Sequence, residues 1–309
     1  MILSVSRRTD IPCFYARWFL NRLRAGYVLV PNPYNRQQLS RVPLEPDTLD
    51  CIVFWTKDPA PLLPFLSEID RMGYPYCFQF TLTPYGQDIE GGLRPKVDIL
   101  QTFQELARRV GRERMQWRYD PILLSGEWTV QRHAAAFARM CRALAPYAAG
   151  VTISFLDMYR RTETAGLRPL SAEEREALSR ALGPIAAGYG LPVQTCCEEI
   201  DLSAYGIRRG GCISRELLER TCGGPLSLSW DRNQRPGCMC VQSIDIGTYD
   251  TCPHGCIYCY ATRRPAAARR AAVDHDPEGE LLTGRLAGGE RIVQRQVRRL
   301  RQDQLRLLD

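Results

Sequence analysis

Three cysteines crowd into one short stretch near the C-terminal end of the chain, Cys252-Pro-His-Gly-Cys256-Ile-Tyr-Cys259. The spacing is C-x3-C-x2-C, with an aromatic residue, Tyr258, before the third cysteine. Three thiolates on one loop can hold three irons of a [4Fe-4S] cube. The fourth iron then has no protein ligand and can bind a small molecule, which separates a catalytic cluster from a structural one.

A second cysteine set lies upstream. Cys238 and Cys240 form a tight C-x-C, Cys196 lies at a strand end, and Cys212 follows Gly210-Gly211. Together they make a complete four-cysteine site. Four-sulfur ligation suits a second, auxiliary [4Fe-4S] cluster, with zinc as the alternative. Cys197 and Cys222 read as spares, and Cys13, Cys51, Cys77 and Cys141 as ordinary buried thiols. Thirteen cysteines in a 309-residue chain point to metal or redox chemistry rather than to the disulfide framework of a small secreted domain.

The elements that must position these ligands follow from hydrophobic patterning. Short runs rich in β-branched and aromatic residues predict strands at 2–6, 51–55, 76–82, 115–119, 151–155 and 192–195. Amphipathic runs between them predict helices over 14–24, 61–71, 96–110, 129–145 and 172–187. Regular alternation of this kind builds a parallel sheet, and six successive units favour an α/β barrel over an open sheet. A last parallel strand at 241–246 leads directly into the cysteine triad. The expected organisation is a β/α barrel over 1–262, with its cysteine-rich region at 196–262. A basic, partly helical tail follows over 263–309, with a polar Arg-rich helix at 290–308.

Chemistry in a parallel barrel sits at the C-terminal ends of the strands. The predicted strands run into Arg7-Arg8-Thr9-Asp10, Thr56-Lys57-Asp58, Arg118-Tyr119-Asp120 and Cys196-Cys197-Glu198. Arg7, Arg8, Asp10, Lys57, Arg118, Asp120 and Glu198 are therefore the candidate catalytic side chains. Asp10 and Asp120, each close before a proline, also suit turns and helix caps.

Composition narrows the function class. The chain is 45% hydrophobic and 24% charged, enough for one large domain with an appendage. No apolar stretch approaches the roughly 20 residues that span a bilayer, and the apolar run at the N-terminus is too short for a secretory signal. A cytoplasmic protein without a membrane partner is expected. The net charge of +7 is carried almost wholly by arginine, with Lys57 and Lys96 the only lysines. This reads as compositional bias, so a nucleic-acid partner is not expected.

Several segments resemble, in order, a family of bacterial proteins known only as a domain of unknown function. They are Ser4-Val-Ser-Arg-Arg-Thr-Asp-Ile-Pro12, Asn32-Pro-Tyr-Asn35, Val53-Phe-Trp-Thr-Lys-Asp-Pro59, Phe78-Gln-Phe-Thr81, Trp117-Arg-Tyr-Asp-Pro-Ile122, Cys238-Met-Cys240, Ser243-Ile-Asp-Ile-Gly247 and the triad through Ala261. The triad is itself similar to that of radical S-adenosylmethionine (SAM) enzymes, moved from its usual early position to the end, as in a circular permutation. The resemblance implies Cys252, Cys256 and Cys259 on the catalytic [4Fe-4S] cluster, Tyr258 beside the adenine of SAM, and Arg7, Arg8, Lys57 and Arg118 toward the SAM carboxylate and a small anionic substrate. It further implies an electron donor such as flavodoxin or ferredoxin. Gly288-Gly289-Glu290 echoes a SAM-binding segment but follows no strand and reads as coincidence. The rival readings are an iron–sulfur electron carrier or sensor that does not use SAM, and a zinc-binding nucleic-acid module. The triad spacing is poor for the latter.

Overall fold

The computed structural model describes residues 1–35 and 37–302. The strands are β1 (Ile2–Val5), β2 (Tyr27–Pro31), β3 (Gln38–Pro43), β4 (Cys51–Thr56), β5 (Tyr76–Thr81), β6 (Met115–Ile122), β7 (Gly150–Phe155), β8 (Val193–Cys196), β9 (Ile207–Gly210), β10 (Ile244–Asp245) and β11 (Arg291–Gln294). The helices are α1 (Ile11–Phe14), α2 (Ala16–Ala25), α3 (Leu66–Arg71), α4 (Lys96–Val110), α5 (Val130–Leu144), α6 (Arg160–Thr164), α7 (Ala172–Gly188), α8 (Arg215–Cys222) and α9 (Pro265–Val273).

Eight strands form one parallel sheet in the order β10-β1-β4-β5-β6-β7-β8-β9. Parallel strands covered by helices are buried on both faces, so they read as continuous apolar runs rather than alternating ones. β1 is buried at every residue, and β4 and β5 at all but one each. The covering helices have the matching stripe: Ile99, Phe103, Leu106 and Val110 recur at helical spacing on α4 and are all buried. Their starts are locally encoded. The Thr129 hydroxyl accepts from the Arg132 N–H at the start of α5, and Ser171 with Glu174 forms a capping box for α7.

The strand that carries the cysteine triad is last in this sheet by sequence and first in space. β10 pairs in parallel with β1, placing Leu3 opposite Ile244 and Ser4 opposite Asp245. It has only two residues, shorter than the predicted 241–246. Among the described residues no strand pairing joins β9 to β10, so the hydrogen-bonded sheet has two edges. The segments beside those edges do meet: the Val241 N–H donates to the Ile213 carbonyl at 3.0 Å.

Two features depart from the expectations. An antiparallel hairpin, β2–β3, with β11 added in parallel to β3, makes a second, three-stranded sheet. The tail is helical at α9, but the helix predicted over 290–308 is not found in its described part. Residues 291–294 instead take up the unpaired edge of β3, which offers a ready row of backbone donors and acceptors. Beyond them, the Leu300 N–H donates to the Asp50 carboxylate at 2.9 Å and the Arg298 carbonyl accepts from the Met1 ammonium at 3.1 Å. Residues 303–309 of the predicted helix lie outside the described residues. No helix among the described residues is long and apolar enough to cross a membrane.

Candidate active site

The C-terminal ends of the strands open into a cavity of about 1310 Å³. That exceeds the roughly 300–1,000 Å³ typical of a pocket for one small ligand. Cys252, Cys256 and Cys259 line it, as do Cys196, Cys212, Cys238 and Cys240. Of the predicted polar residues, Arg7, Arg8, Asp10, Lys57, Arg118 and Asp120 also line it. Glu198 does not. It is turned into the protein, where it accepts the Phe155 N–H at 2.8 Å and faces Arg175 at 3.4 Å. Burial raises the Glu198 carboxyl to about 7.

The triad loop is held from several sides. The Gly92 N–H donates to the His254 carbonyl at 2.7 Å, and a Cβ at Gly92 would lie 2.7 Å from that same oxygen, so only glycine permits the approach. The Ile257 N–H donates to the Ile89 carbonyl at 3.0 Å. The Tyr15 hydroxyl reaches the Thr251 carbonyl at 2.6 Å, and the Tyr260 hydroxyl reaches the Arg7 carbonyl at 2.6 Å. Arg161 donates to the carbonyls of Thr262 and Gly255 at 2.7 and 3.2 Å. A loop tied at this many points is held in one conformation.

Asp10 connects the first strand to this loop. Its carboxylate caps α1 through the Cys13 N–H, accepts the Lys57 N–H at 2.7 Å, and lies 2.8 Å from His254 Nε2. A carboxylate engaged by two backbone donors is an acceptor, so Nε2 carries a proton toward Asp10. Nδ1 is buried and has no hydrogen-bond partner. Asp245 does similar work at the next position. It accepts from the Ser4 and Ser6 hydroxyls at 2.7 Å each and from the Arg7 N–H at 2.8 Å, fixing the exit of β1.

The two lysines of the chain converge on one fully buried carboxylate. Glu90 Oε1 accepts from Lys57 Nζ at 2.7 Å and from the Thr83 hydroxyl at 2.9 Å; Oε2 accepts from Lys96 Nζ. The Tyr258 hydroxyl of the triad loop also donates to Glu90. Burial works against the Glu90 charge, but the two ammonium groups outweigh it and hold the carboxyl down at about 2. Burial likewise disfavours charged Lys57, and Glu90 more than offsets it, so the Lys57 pKa lies above its ordinary value. Lys57 is thus kept cationic at the cavity wall, 5.4 Å from the centre of the Tyr258 ring.

Two residues before Lys57, the Trp55 ring is close to two guanidinium groups, with Arg7 at 5.2 Å and Arg118 at 5.1 Å from its centroid. Arg118 also pairs with Asp120, which accepts the Ser154 hydroxyl as well. Burial opposes the Asp120 charge, but Arg118 and Ser154 outweigh it and lower its pKa. Arg7 Nη2, Trp55 Nε1 and Ser243 Oγ are buried and without hydrogen-bond partners, and all three residues line the cavity. Unsatisfied buried polar groups of this kind carry a desolvation cost of about 1–3 kcal/mol each.

Glu90 and His254 were not among the residues singled out by sequence, and Trp55 enters there only as part of the strand end Trp55-Thr56-Lys57-Asp58. His254 lies inside the triad motif, and the scarcity of lysine marks Lys57 and Lys96. Glu90, in an ordinary-looking loop, has no such signal. Gly288-Gly289-Glu290 sits apart from the cavity, its carboxylate accepting the Ala287 and Gly288 N–H groups of its own turn.

No curated protein and no solved structure matches the chain. A model for a domain of unknown function (DUF1848) matches residues 2–261, the whole parallel sheet and the triad included. The chain belongs to the DUF1848 family.

Proposed function

We propose that the protein is an iron–sulfur enzyme of radical SAM type acting on a small anionic substrate. The observation that carries this reading is that Cys252, Cys256 and Cys259 face one large cavity together with Lys57, Arg7 and Arg118. Three sulfurs on a rigidly tied loop, open toward a polar cavity, are the donor set that a [4Fe-4S] cluster with one unligated iron requires. Cys252, Cys256 and Cys259 would hold that cluster, which would supply the one-electron reduction that cleaves SAM to methionine and a 5′-deoxyadenosyl radical.

The chain's own residues do the rest. Lys57, held charged by Glu90, binds the methionine carboxylate with the donors that Glu90 leaves available. Tyr258 flanks the adenine. The Arg7 and Arg118 guanidinium groups at the cavity wall attract the anionic group of the substrate. The cavity volume leaves room for two ligands at once. In this reading the parallel sheet is a radical SAM-type barrel, permuted so that the cluster strand comes last and left unpaired between β9 and β10. A flavodoxin or ferredoxin supplies the electron.

The test is anaerobic reconstitution with iron and sulfide, followed by dithionite and SAM, with 5′-deoxyadenosine measured. Release by the wild type, and loss of both triad iron and release in Cys256→Ala, is the expected result. Iron without SAM cleavage converts the reading to an electron carrier; a protein that holds no iron at the triad ends it.

A further inference from the structure

We infer that Cys196, Cys212, Cys238 and Cys240 hold a single zinc ion, which joins the two edges of the parallel sheet, rather than an auxiliary [4Fe-4S] cluster. The distances decide between the two. The sulfurs of Cys196, Cys212 and Cys240 all lie within 4.8 Å of one another. Zinc–sulfur bonds of about 2.3 Å at tetrahedral angles set sulfur–sulfur separations of about 3.8 Å. In a cube each thiolate binds its own iron at its own corner, and the sulfurs stand much farther apart. Cys238, two residues from Cys240 on the same segment and beside Cys196, lies outside that group of three and closes on the ion as the fourth ligand.

The surroundings are those of a bound metal thiolate. Cys212 and Cys240 are buried, at 2% and 3% exposure. Arg118 Nη1 donates to Cys212 Sγ at 2.6 Å, and the Ile213 N–H donates to Cys240 Sγ at 3.5 Å. The Arg7 guanidinium is near enough to the Cys240 sulfur to feel its charge. One divalent ion with four thiolates carries a net charge of −2, and these cations and N–H donors offset it.

The ligands come from both sides of the break in the sheet. Cys196 ends β8, Cys212 follows β9, and Cys238 and Cys240 precede β10. Strand pairing does not join β9 to β10, and the ion supplies the bond there. It would also fix Arg7 and Arg118, which reach from this site to the Trp55 wall of the cavity.

The test uses the full chain, produced anaerobically with both iron and zinc supplied, with the metals counted in three proteins. The first is wild type, the second carries Cys252→Ser, Cys256→Ser and Cys259→Ser, and the third carries Cys212→Ser and Cys240→Ser. The triad variant should keep about one zinc and lose its iron, and the third protein should lose that zinc. So that the test does not depend on the folding of the third protein, the triad variant is also loaded with cobalt(II), which should give the intense sulfur-to-cobalt absorption of a tetrahedral thiolate site. About four irons retained in the triad variant, or no thiolate-bound cobalt, overturns the inference. The triad variant has no catalytic cluster, so its zinc content answers this question separately from the radical SAM reading.

Discussion

Replacing Glu90 by glutamine removes the one negative charge that two buried ammonium groups share, and its cost can be worked in two ways. Glu90 falls from an ordinary carboxyl pKa of 4.5 to about 2 on folding. A shift of that size corresponds to roughly 3 kcal/mol of stability at pH 7. Independently, removing one partner of a buried ion pair costs about 3–5 kcal/mol, because the other charge is left uncompensated. Here Lys57 and Lys96, with side chains 15% and 27% exposed, would face each other across an amide. The sign of the pH dependence follows from the depressed pKa. The stabilisation is complete above the unfolded pKa of about 4.5 and is lost as pH falls toward about 2. Urea unfolding at pH 7 should therefore show Glu90→Gln less stable than wild type by about 3 kcal/mol. The gap should narrow as both are titrated from pH 5 to pH 3. Adding Lys96→Met and Lys57→Met should restore much of the loss, since no buried charge then lacks a partner. A Glu90→Gln protein within about 1 kcal/mol of wild type at pH 7 would refute the reasoning.

Glu198→Gln should act in the opposite sense. Burial raises this carboxyl from 4.5 to about 7, so its contribution is present below pH 4.5 and lost as pH rises through about 7. The variant should match wild type near pH 4 and be more stable at pH 8 by up to about 3 kcal/mol, read from thermal or urea unfolding; equal stability at pH 8 would contradict it. Gly247→Ala places a Cβ 1.9 Å from Ser6 Oγ, which is bonded to Asp245. It should cost about 1–3 kcal/mol by overpacking and displace Arg7; an unchanged unfolding midpoint would show that Ser6 can move aside. Trp55→Phe removes an unpartnered N–H while keeping a ring close to Arg7 and Arg118. It should leave triad iron unchanged and weaken substrate binding, and a loss of iron would mean that the wall supports the cluster loop instead.

Much of the parallel sheet was legible in the sequence because most strands are short apolar runs bounded by turns, α4 and α5 carry apolar stripes, and α5 and α7 have side-chain caps. The triad motif was legible for the same local reason: its three cysteines lie within one loop, so their spacing is written in the sequence itself. The elements missed are those without a local signature. β9 is Ile-Arg-Arg-Gly, with one apolar residue, and holds its place by pairing with β8. The tail segment 291–294 reads as polar and Arg-rich, and only the open edge of β3 makes it a strand.

The candidate site divides along the same line. By itself the sequence determined the cysteine inventory, the alternation that builds a parallel sheet, and the polar residues at the strand exits, since these depend on neighbours a few positions apart. Tertiary structure decided that Lys57, Lys96 and Tyr258 share Glu90, that Arg7 and Arg118 come close to Trp55, and that Glu198 turns away from the cavity. It also decided that Cys196, Cys212 and Cys240, from three segments, stand close together at the break in the sheet. These are contacts across tens to hundreds of residues. They are selected by burial and charge compensation in the folded chain, which no local spacing records.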